Sequence, residues 1–235
     1  MALFRMGQRP EFPPPELAEP EGVLAVGGRL DVPWLLAAYR QGIFPWYDRP
    51  PILWWSPDPR LVLVPEEIHV SRRLARTIRS GRFETRVDTA FREVMRQCAS
   101  IPRRHESGTW INAEIIRAYG ALHDAGHAHA VESWRDGRLV GGIYGVQIGG
   151  AFFGESMFAR ESDASKVALV ALAQECQARG IRLIDCQVTS EHMLRMGARE
   201  IRRREFLERL RELVSLPIGP GRWEARAGRP IGGGR

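Results

Sequence analysis

Proline is concentrated at the beginning of this chain and limits what that part can fold into. Eleven of the sixteen prolines and four of the seven tryptophans lie within residues 1–62. Long helices and strands are excluded there, because proline has no amide hydrogen to donate and restricts the residue before it. One helix is predicted, with Asp31 as its N-cap, Pro33 in its first turn and Gly42 at its end. We expect residues 1–62 to form a small irregular N-terminal domain that aromatic side chains hold together.

Regular periodicity begins after this segment. Three helices are predicted first, and each follows a capping side chain: Ser71, Asp88 and Asn112. Between residues 128 and 158 apolar residues alternate in three runs separated by glycine turns, which predicts an antiparallel meander. A long helix to Gly180, the apolar strand IRLIDCQV and two further helices complete the pattern.

The order of these elements indicates the fold class. Acetyltransferase-like folds place a helix and a further strand after such a meander. We therefore predict an α/β (α+β) domain over residues 63–216, with a mixed, mostly antiparallel sheet. Residues 217–235 are rich in Gly, Pro and Arg, and we expect them to form a flexible tail.

The chain is basic, with 34 Lys and Arg against 28 Asp and Glu, and a sequence pI of about 9.9. This balance favours a polyanionic partner such as nucleic acid. Arg72, Arg76 and Arg79 share one face of the helix that begins at Ser71, so three guanidinium groups project together. A genome-wide preference for arginine codons explains the excess of arginine equally well.

Several classes of protein are excluded by what the chain lacks. No run approaches the roughly 18 apolar residues of a membrane span, and the N-terminus has no apolar core of a secretory signal, so we expect a cytoplasmic protein. The three cysteines are isolated, and His123, His127 and His129 lack an H-E-x-x-H pattern, so no metal site is expected. No phosphate-binding loop or nucleophile elbow occurs. Without a heptad repeat, we expect a monomer.

Three polar residues interrupt otherwise apolar strands. Glu155 lies in AFFGESMF, where alternation predicts that it shares a face with Phe153 and Met157, and Asp185 and Gln187 lie in RLIDCQV. Burying an unpaired carboxylate is costly, so each acid needs a partner, a cleft or a sheet margin. One interpretation is a structural ion pair with an arginine. The other is a site on neighbouring strands that recognises and orients an amine.

Glycines are frequent along the meander. They let a ligand approach the backbone closely, or they serve turns and bulges, and the sequence leaves both open. Six positions are concerned: Gly141, Gly142, Gly145, Gly149, Gly150 and Gly154.

Taken in order, several motifs resemble those of the leucyl/phenylalanyl-tRNA–protein transferases over about residues 12–214. They are LAVGGRL, YRQGIFPWY, ILWWSPDPR, GTWI, LVGGIYGV, FFGESMF and LIDCQV. The resemblance implies a cytosolic bacterial enzyme of the N-degron pathway, with a small N-terminal domain and an acetyltransferase-like (GNAT) domain. Such an enzyme transfers Leu or Phe, and Met less readily, from aminoacyl-tRNA to proteins that begin with Arg or Lys.

The resemblance also implies roles for individual residues. Asp185 and Gln187 become the catalytic pair, with Glu155 at the substrate end of the site. Trp110 and Phe152 are expected around the terminal adenosine. Five apolar residues, with Gly154, are expected to bind the donor's aminoacyl group: Ile143, Met157, Leu169, Leu172 and Ile184. The helix that carries Arg72, Arg76 and Arg79 is the candidate for the tRNA acceptor stem.

No cofactor is expected. The glycine loop with which acetyltransferases bind the pyrophosphate of coenzyme A is replaced here by RESDAS. Two roles for Asp185 stay open, because an ordinary Asp is a weak base. It acts as a base through Gln187, or it orients the cationic N-terminus together with Glu155. Two rival functions also stay open: a tRNA-dependent acyltransferase of cell-wall precursors, and a non-catalytic RNA-binding module.

Overall fold

The computed structural model of the protein describes residues 3–101 and 110–224. The N-terminal part contains a small sheet with the strand order β1-β2-β4-β3. Its strands span only two to five residues, as the proline content predicts: β1 (Phe4–Met6), β2 (Val23–Gly27), β3 (Phe44–Pro45) and β4 (Leu53–Trp55). Short 3₁₀ turns occur at Pro15–Leu17 and Pro65–Glu67.

Aromatic packing and one capped helix stabilise this small sheet. Helix α1 (Val32–Tyr39) begins as predicted, because the Asp31 carboxylate accepts the Trp34 amide at 3.2 Å. The Trp34 and Trp54 rings stack with centroids 6.2 Å apart, and Phe12 meets Trp54 edge-on at 4.8 Å. Aromatic contacts of the kind predicted are therefore present in the N-terminal part.

A seven-stranded sheet with the order β11-β5-β10-β9-β8-β7-β6 forms the rest of the framework. Strands β9 and β10 run parallel and the other neighbouring pairs run antiparallel, which confirms the mixed, mostly antiparallel sheet. The strands are β5 (Arg60–Leu63), β6 (Glu84–Val87), β7 (Ala128–Arg135), β8 (Arg138–Ile148), β9 (Ala151–Ala159), β10 (Leu183–Gln187) and β11 (Arg199–Ile201).

Helices cover both faces of this sheet. They are α2 (Arg72–Arg79), α3 (Phe91–Ser100), α4 (Ala113–Asp124), α5 (Ala164–Ala178), α6 (Glu191–Arg195) and α7 (Arg203–Val214). A first hydrophobic cluster contains buried residues of α1, α3, α4 and α7, and a second contains those of α2 and α5. The first cluster continues into the N-terminal sheet, and the domain boundary predicted at 62/63 falls inside β5.

Of the three caps predicted for the helices after residue 62, two are confirmed and one is wrong. Ser71 accepts the Leu74 amide, and Asn112 accepts the amides of the first turn of α4. Asp88 does not cap α3, whose N-cap is Ala90. The Asp88 carboxylate bonds instead to His129 and to the backbone of β7, and Glu132 accepts the Ala90 amide at 2.7 Å.

Residues 217–224 of the predicted tail include one buried side chain. Trp223 is only 4% exposed, stacks on His129 with ring centroids 4.3 Å apart, and carries the Arg179 guanidinium 4.7 Å from the centroid of its ring. Its amide donates to Asp88 at 3.3 Å. Burial of this large aromatic ring anchors Trp223 to the folded part of the chain. The predicted tail beyond residue 224 lies outside the described residues.

Within residues 3–101 and 110–224, no helix has both the length and the apolar character that crossing a bilayer requires.

Candidate active site

The two parallel strands of the large sheet separate at the polar residues singled out in the sequence. β9 and β10 pair from Ala151–Leu183 to Phe153–Asp185 and then part. We call this place the fork. Both strands carry a bulge there, because Glu155 has no partner in β8 and the register of β10 shifts between Asp185 and Gln187.

The bulge in β9 corrects one expectation about its faces. Phe153 and Phe158 pack in the first hydrophobic cluster, whereas Phe152 and Met157 pack in the second. One inserted residue reverses the alternation beyond it, so the prediction that Met157 shares a face with Glu155 is wrong. The bulge therefore turns Glu155 towards α1 and α4, while Met157 stays with the apolar pocket residues.

Asp185 is engaged in a buried ion pair with Arg60 of β5. The Arg60 Nε atom donates to Oδ1 at 2.8 Å and Nη2 donates to Oδ2 at 2.6 Å. The Arg60 side chain is completely buried, and its guanidinium lies 5.0 Å from the Phe44 ring centroid and 4.4 Å from that of Phe206. The interpretation of an ion pair with an arginine is confirmed for Asp185.

The same carboxylate fixes the backbone at Gln187. Gln187 has a φ of 63°, in the left-handed region, and its amide donates to Asp185 Oδ1 at 2.9 Å. A non-glycine residue in this conformation is held there by its surroundings. The result is that the Gln187 side chain points across the fork, where its Nε2 donates to Glu155 Oε1 at 2.8 Å.

Glu155 is surrounded by neutral hydrogen-bond donors. Besides Gln187, the Tyr39 hydroxyl donates to Oε1 at 2.6 Å and the Tyr119 hydroxyl donates to Oε2 at 3.2 Å. The two hydroxyls lie 2.5 Å apart. Burial of the Glu155 carboxyl raises its pKa to about 7, against the opposing effect of these hydrogen bonds. Burial also raises the pKa of both phenols well above the usual value, so they remain donors at neutral pH.

This arrangement joins six residues into one polar network across the fork. It runs from Arg60 through Asp185 and Gln187 to Glu155 and the two tyrosines. The charges of Arg60 and Asp185 offset each other, so the remaining ionisable acid is Glu155, whose side chain is partly exposed. With a pKa of about 7, this acid is suited to exchange a proton with an amine.

The predicted donor-pocket residues are brought together, and the two predicted aromatic rings are not. All of the pocket residues belong to the second hydrophobic cluster, with Met157 partly buried against it: Ile143, Met157, Leu169, Leu172 and Ile184. Phe152 lies in the same cluster and is completely buried. Trp110 belongs to the first cluster, so the structure does not place it beside Phe152.

The meander glycines separate into two kinds. A Cβ atom at Gly145 would lie 2.1 Å from the Phe153 carbonyl oxygen, and one at Gly141 would lie 2.6 Å from the Ala164 Cβ. These glycines are required by the protein's own packing. At Gly154, the cross-strand partner of Gly145, the nearest atom would be the Asp185 carbonyl oxygen at 3.5 Å. Only ordinary contact is expected there, so the fork leaves room beside Gly154.

The predicted basic face is present on α2. Arg72, Arg76 and Arg79 are exposed, and none of them has an ion-pair partner within residues 3–101 and 110–224. Arg73, on another side of the helix, reaches Asp163 at 3.6 Å. Guanidinium groups without a carboxylate partner are free to bind an anion.

The histidines are used in packing. His123 Nδ1 bonds to the Ala128 carbonyl and His129 Nδ1 to Asp88, both at 2.7 Å. In the described part of the chain, no group of three or more His, Cys, Asp and Glu residues could hold a metal ion.

Three residues of the network were missed by the sequence analysis. Arg60 and Tyr39 occur in the quoted motifs without a role, and Tyr119 was given none. The signal was indirect: buried carboxylates need donors, and buried tyrosines need a partner for the hydroxyl group. Which donor meets which acid depends on contacts between residues 36 to 125 positions apart in the chain.

The comparisons with known proteins agree with the sequence motifs. The family model described as leucyl/phenylalanyl-tRNA protein transferase matches residues 62–211, and the model of its N-terminal domain matches residues 28–58. The protein of that name from Aromatoleum aromaticum is 58% identical over 218 residues, which cover 92% of each chain. The one from Anaeromyxobacter sp. (strain Fw109-5) is 56% identical over 234 residues, 99% of this chain and 100% of the relative. A GCN5-related N-acetyltransferase from Kribbella flavida gives a TM-score of 0.41 at 13% identity, over 71% of this chain and 60% of that one.

Proposed function

Because the chain belongs to the leucyl/phenylalanyl-tRNA–protein transferase family and is therefore an aminoacyltransferase, we propose that it transfers Leu or Phe, and Met less readily, to proteins that begin with Arg or Lys. The donor is the aminoacyl-tRNA and the acceptor is the α-amine of the protein. The new N-terminal residue then marks the product for degradation through the N-degron pathway. Aminoacyl-tRNA is used in the cytoplasm, where we place the reaction.

The observation that carries this proposal is the polar network at the fork. An acceptor that begins with Arg or Lys brings an ammonium group and a second positive charge to the site. Glu155 is the partly exposed acid there whose charge no arginine offsets, and Gln187 and two tyrosines hold its orientation. A carboxylate in this position binds a cationic N-terminus and aligns its nitrogen.

Apolar side chains beside the fork support the choice of donor. Ile184 precedes Asp185 in β10 and belongs to the same buried cluster as Leu169, Leu172 and Met157. Side chains of this kind accept an apolar group and discriminate weakly between Leu, Phe and Met. Gly154 has no side chain, and an added Cβ would make only ordinary contact there, so the ester group can approach the backbone between these residues and the network.

The chemistry needs little more than positioning. The aminoacyl ester is already activated, so the amine attacks the carbonyl carbon once the two groups are held together. The pKa of an α-amino group is about 7.7–8.0, so most of it must still lose a proton at neutral pH. We assign the catalytic roles to Asp185, Gln187 and Glu155 jointly, and the binding of the acceptor stem to Arg72, Arg76 and Arg79. The enzyme is proposed to act as a monomer without metal or cofactor.

The test is transfer of radiolabelled Leu from Leu-tRNA to a peptide that begins with Arg. A peptide of the same sequence that begins with Gly is the control. Label on the Arg peptide alone supports both the reaction and the acceptor rule. Label on neither peptide, with the tRNA still bound, contradicts the proposal and indicates an RNA-binding module. Transfer to a small amine in preference to the peptide indicates an acyltransferase of another pathway.

A further inference from the structure

The two carboxylates of the network differ in how easily their hydrogen-bond partners allow them to take up a proton. Asp185 has both oxygens occupied: Oδ1 accepts from Arg60 Nε and the Gln187 amide, and Oδ2 accepts from Arg60 Nη2. It is also completely buried. To take up a proton, Asp185 would have to release Arg60 and leave a buried guanidinium without its counter-charge, which is strongly unfavourable.

Glu155 has partners that tolerate a change of protonation. All three are neutral, and a phenol oxygen accepts a hydrogen bond as readily as it donates one. When Glu155 is protonated, Tyr39 or Tyr119 can therefore accept the new O–H, and no charge loses its partner. The titratable groups that face Glu155 are Tyr39 of α1, Tyr119 of α4 and Asp185 of β10, and Arg60 of β5 lies behind Asp185.

We propose that Glu155 accepts the proton of the attacking amine, and that Asp185 is a positioning residue which Arg60 locks in place. This inference rests on the proposed function. Asp185 holds the left-handed backbone at Gln187, and Gln187 in turn holds the Glu155 carboxylate. Arg60 thus acts on the reaction through three successive contacts without touching the substrate.

The proton balance of this step is simple. The ammonium group gives one proton to the Glu155 carboxylate, and the free amine attacks the ester carbonyl carbon. The C–N bond forms as the bond from that carbon to the ribose oxygen breaks, and the second amine proton passes to this oxygen. Glu155 then releases its proton to water. The base form of Glu155 exists above its pKa of about 7, where the reaction is expected to be fastest.

The first test compares Glu155→Gln with Asp185→Asn in single-turnover transfer to the Arg peptide between pH 6.5 and 8.5. We expect the transfer rate of Glu155→Gln at pH 6.5 to be about 100-fold below that of the wild type, which is a typical contribution of general base catalysis. The loss should narrow at least tenfold by pH 8.5, because most of the amine is already neutral there. The loss in Asp185→Asn should narrow in parallel, because Asp185 acts on the reaction only through Gln187 and Glu155. A constant loss in Glu155→Gln overturns the proposal.

A double variant separates positioning from proton transfer at Asp185. Asp185→Asn alone leaves Arg60 buried and unpaired, so it is expected to be unstable. Arg60→Gln/Asp185→Asn removes both charges and keeps two groups that can hydrogen-bond to each other. If Asp185 positions Gln187, the double variant is more active than Asp185→Asn. If Asp185 is the base, the double variant is no more active, and the proposal is wrong.

A third measurement needs no turnover. Infrared difference spectra of the wild type against Glu155→Gln should show a protonated carboxyl band that disappears with a midpoint near pH 7. A midpoint below about 5, the range of ordinary carboxyls, overturns the proposal whatever the acceptor proves to be. Failure of wild-type transfer with a midpoint near 7 would count against the proposed function instead.

Discussion

Arginine occupies two opposite surroundings in this protein. At the fork, Arg60 is completely buried, makes a bidentate pair with Asp185 and lies close to two aromatic rings. On α2, Arg72, Arg76 and Arg79 are exposed and have no ion-pair partner among the described residues. The same type of residue therefore stabilises the fold in one region and remains available to a ligand in the other.

The difference shows what net charge does and does not reveal. The charge of +6 counts Arg60 and Arg76 equally. Arg60 adds no net charge to the region around it, since Asp185 offsets its charge at close range. The attraction of a polyanion comes from exposed groups such as those on α2, and it is weakened by salt. The two regions should accordingly respond to mutation in different measurements.

The largest expected effect is on stability at the fork. Asp185→Ala should lower the free energy of unfolding by about 3–5 kcal/mol, because it leaves the Arg60 guanidinium buried and unpaired. Urea unfolding monitored by tryptophan fluorescence measures it. The matched control is Glu191→Ala, which breaks an exposed 3.2 Å pair with Arg195 and should change stability by less than about 1 kcal/mol. Similar changes in the free energy of unfolding for Asp185→Ala and Glu191→Ala would contradict the structural role given to the buried arginine.

The second prediction compares two glycines that are cross-strand partners, to test whether substrate passes beside one of them. Gly145→Ala should lower the free energy of unfolding by about 1–3 kcal/mol, because its Cβ would overlap the Phe153 carbonyl oxygen. Gly154→Ala should leave stability within about 0.5 kcal/mol and still reduce transfer, since its methyl group enters the space assigned to the substrate. Unfolding and transfer are both measured on each variant. A Gly154→Ala variant with full activity would show that no substrate passes there.

The third prediction concerns the basic face of α2. The triple variant Arg72→Gln/Arg76→Gln/Arg79→Gln should keep the stability of the wild type within about 0.5 kcal/mol, because these side chains are exposed. If all three contact phosphates, the slope of log K against log salt concentration for tRNA binding falls in magnitude by about 3. A control with three arginines of α7 that already pair with acids, at positions 204, 209 and 211, should keep the slope. Equal salt slopes in the two triple variants would show that the arginines of α2 do not contact tRNA.

Local sequence signals were enough to predict most of the framework. The meander, the mixed sheet and the caps at Asp31, Ser71 and Asn112 depend on residues close together in the chain. The bulge at Glu155 could not be predicted, because it depends on how β8 and β9 register. Without the bulge, alternation placed Met157 on the wrong face.

The partners at the site were equally hidden from the sequence. Two acids and Gln187 were recognised as candidates because they interrupt apolar strands. That Asp185 takes Arg60, while Glu155 takes two tyrosines, follows from the packing of α1, α4 and β5 against the fork. The contact of Trp223 with His129 could not be predicted either, because it joins residues far apart in the chain.

The smallest expected effect is that of replacing an arginine of α2 by lysine. The same replacement at the fork is expected to be harmful, so the pair of variants compares the two regions directly. Arg76→Lys keeps the charge, and counterion release depends on charge, so the salt slope of tRNA binding should stay within about 0.3 of the wild type. Arg76→Gln should lower its magnitude by about 0.9. Arg60→Lys keeps the charge as well, yet a single ammonium cannot reproduce the two bonds from Nε and Nη2 to Asp185. Unfolding and transfer should therefore both be impaired in Arg60→Lys and neither in Arg76→Lys. If both lysine variants behave alike, the fork needs only a positive charge, and the geometric role given to Arg60 is wrong.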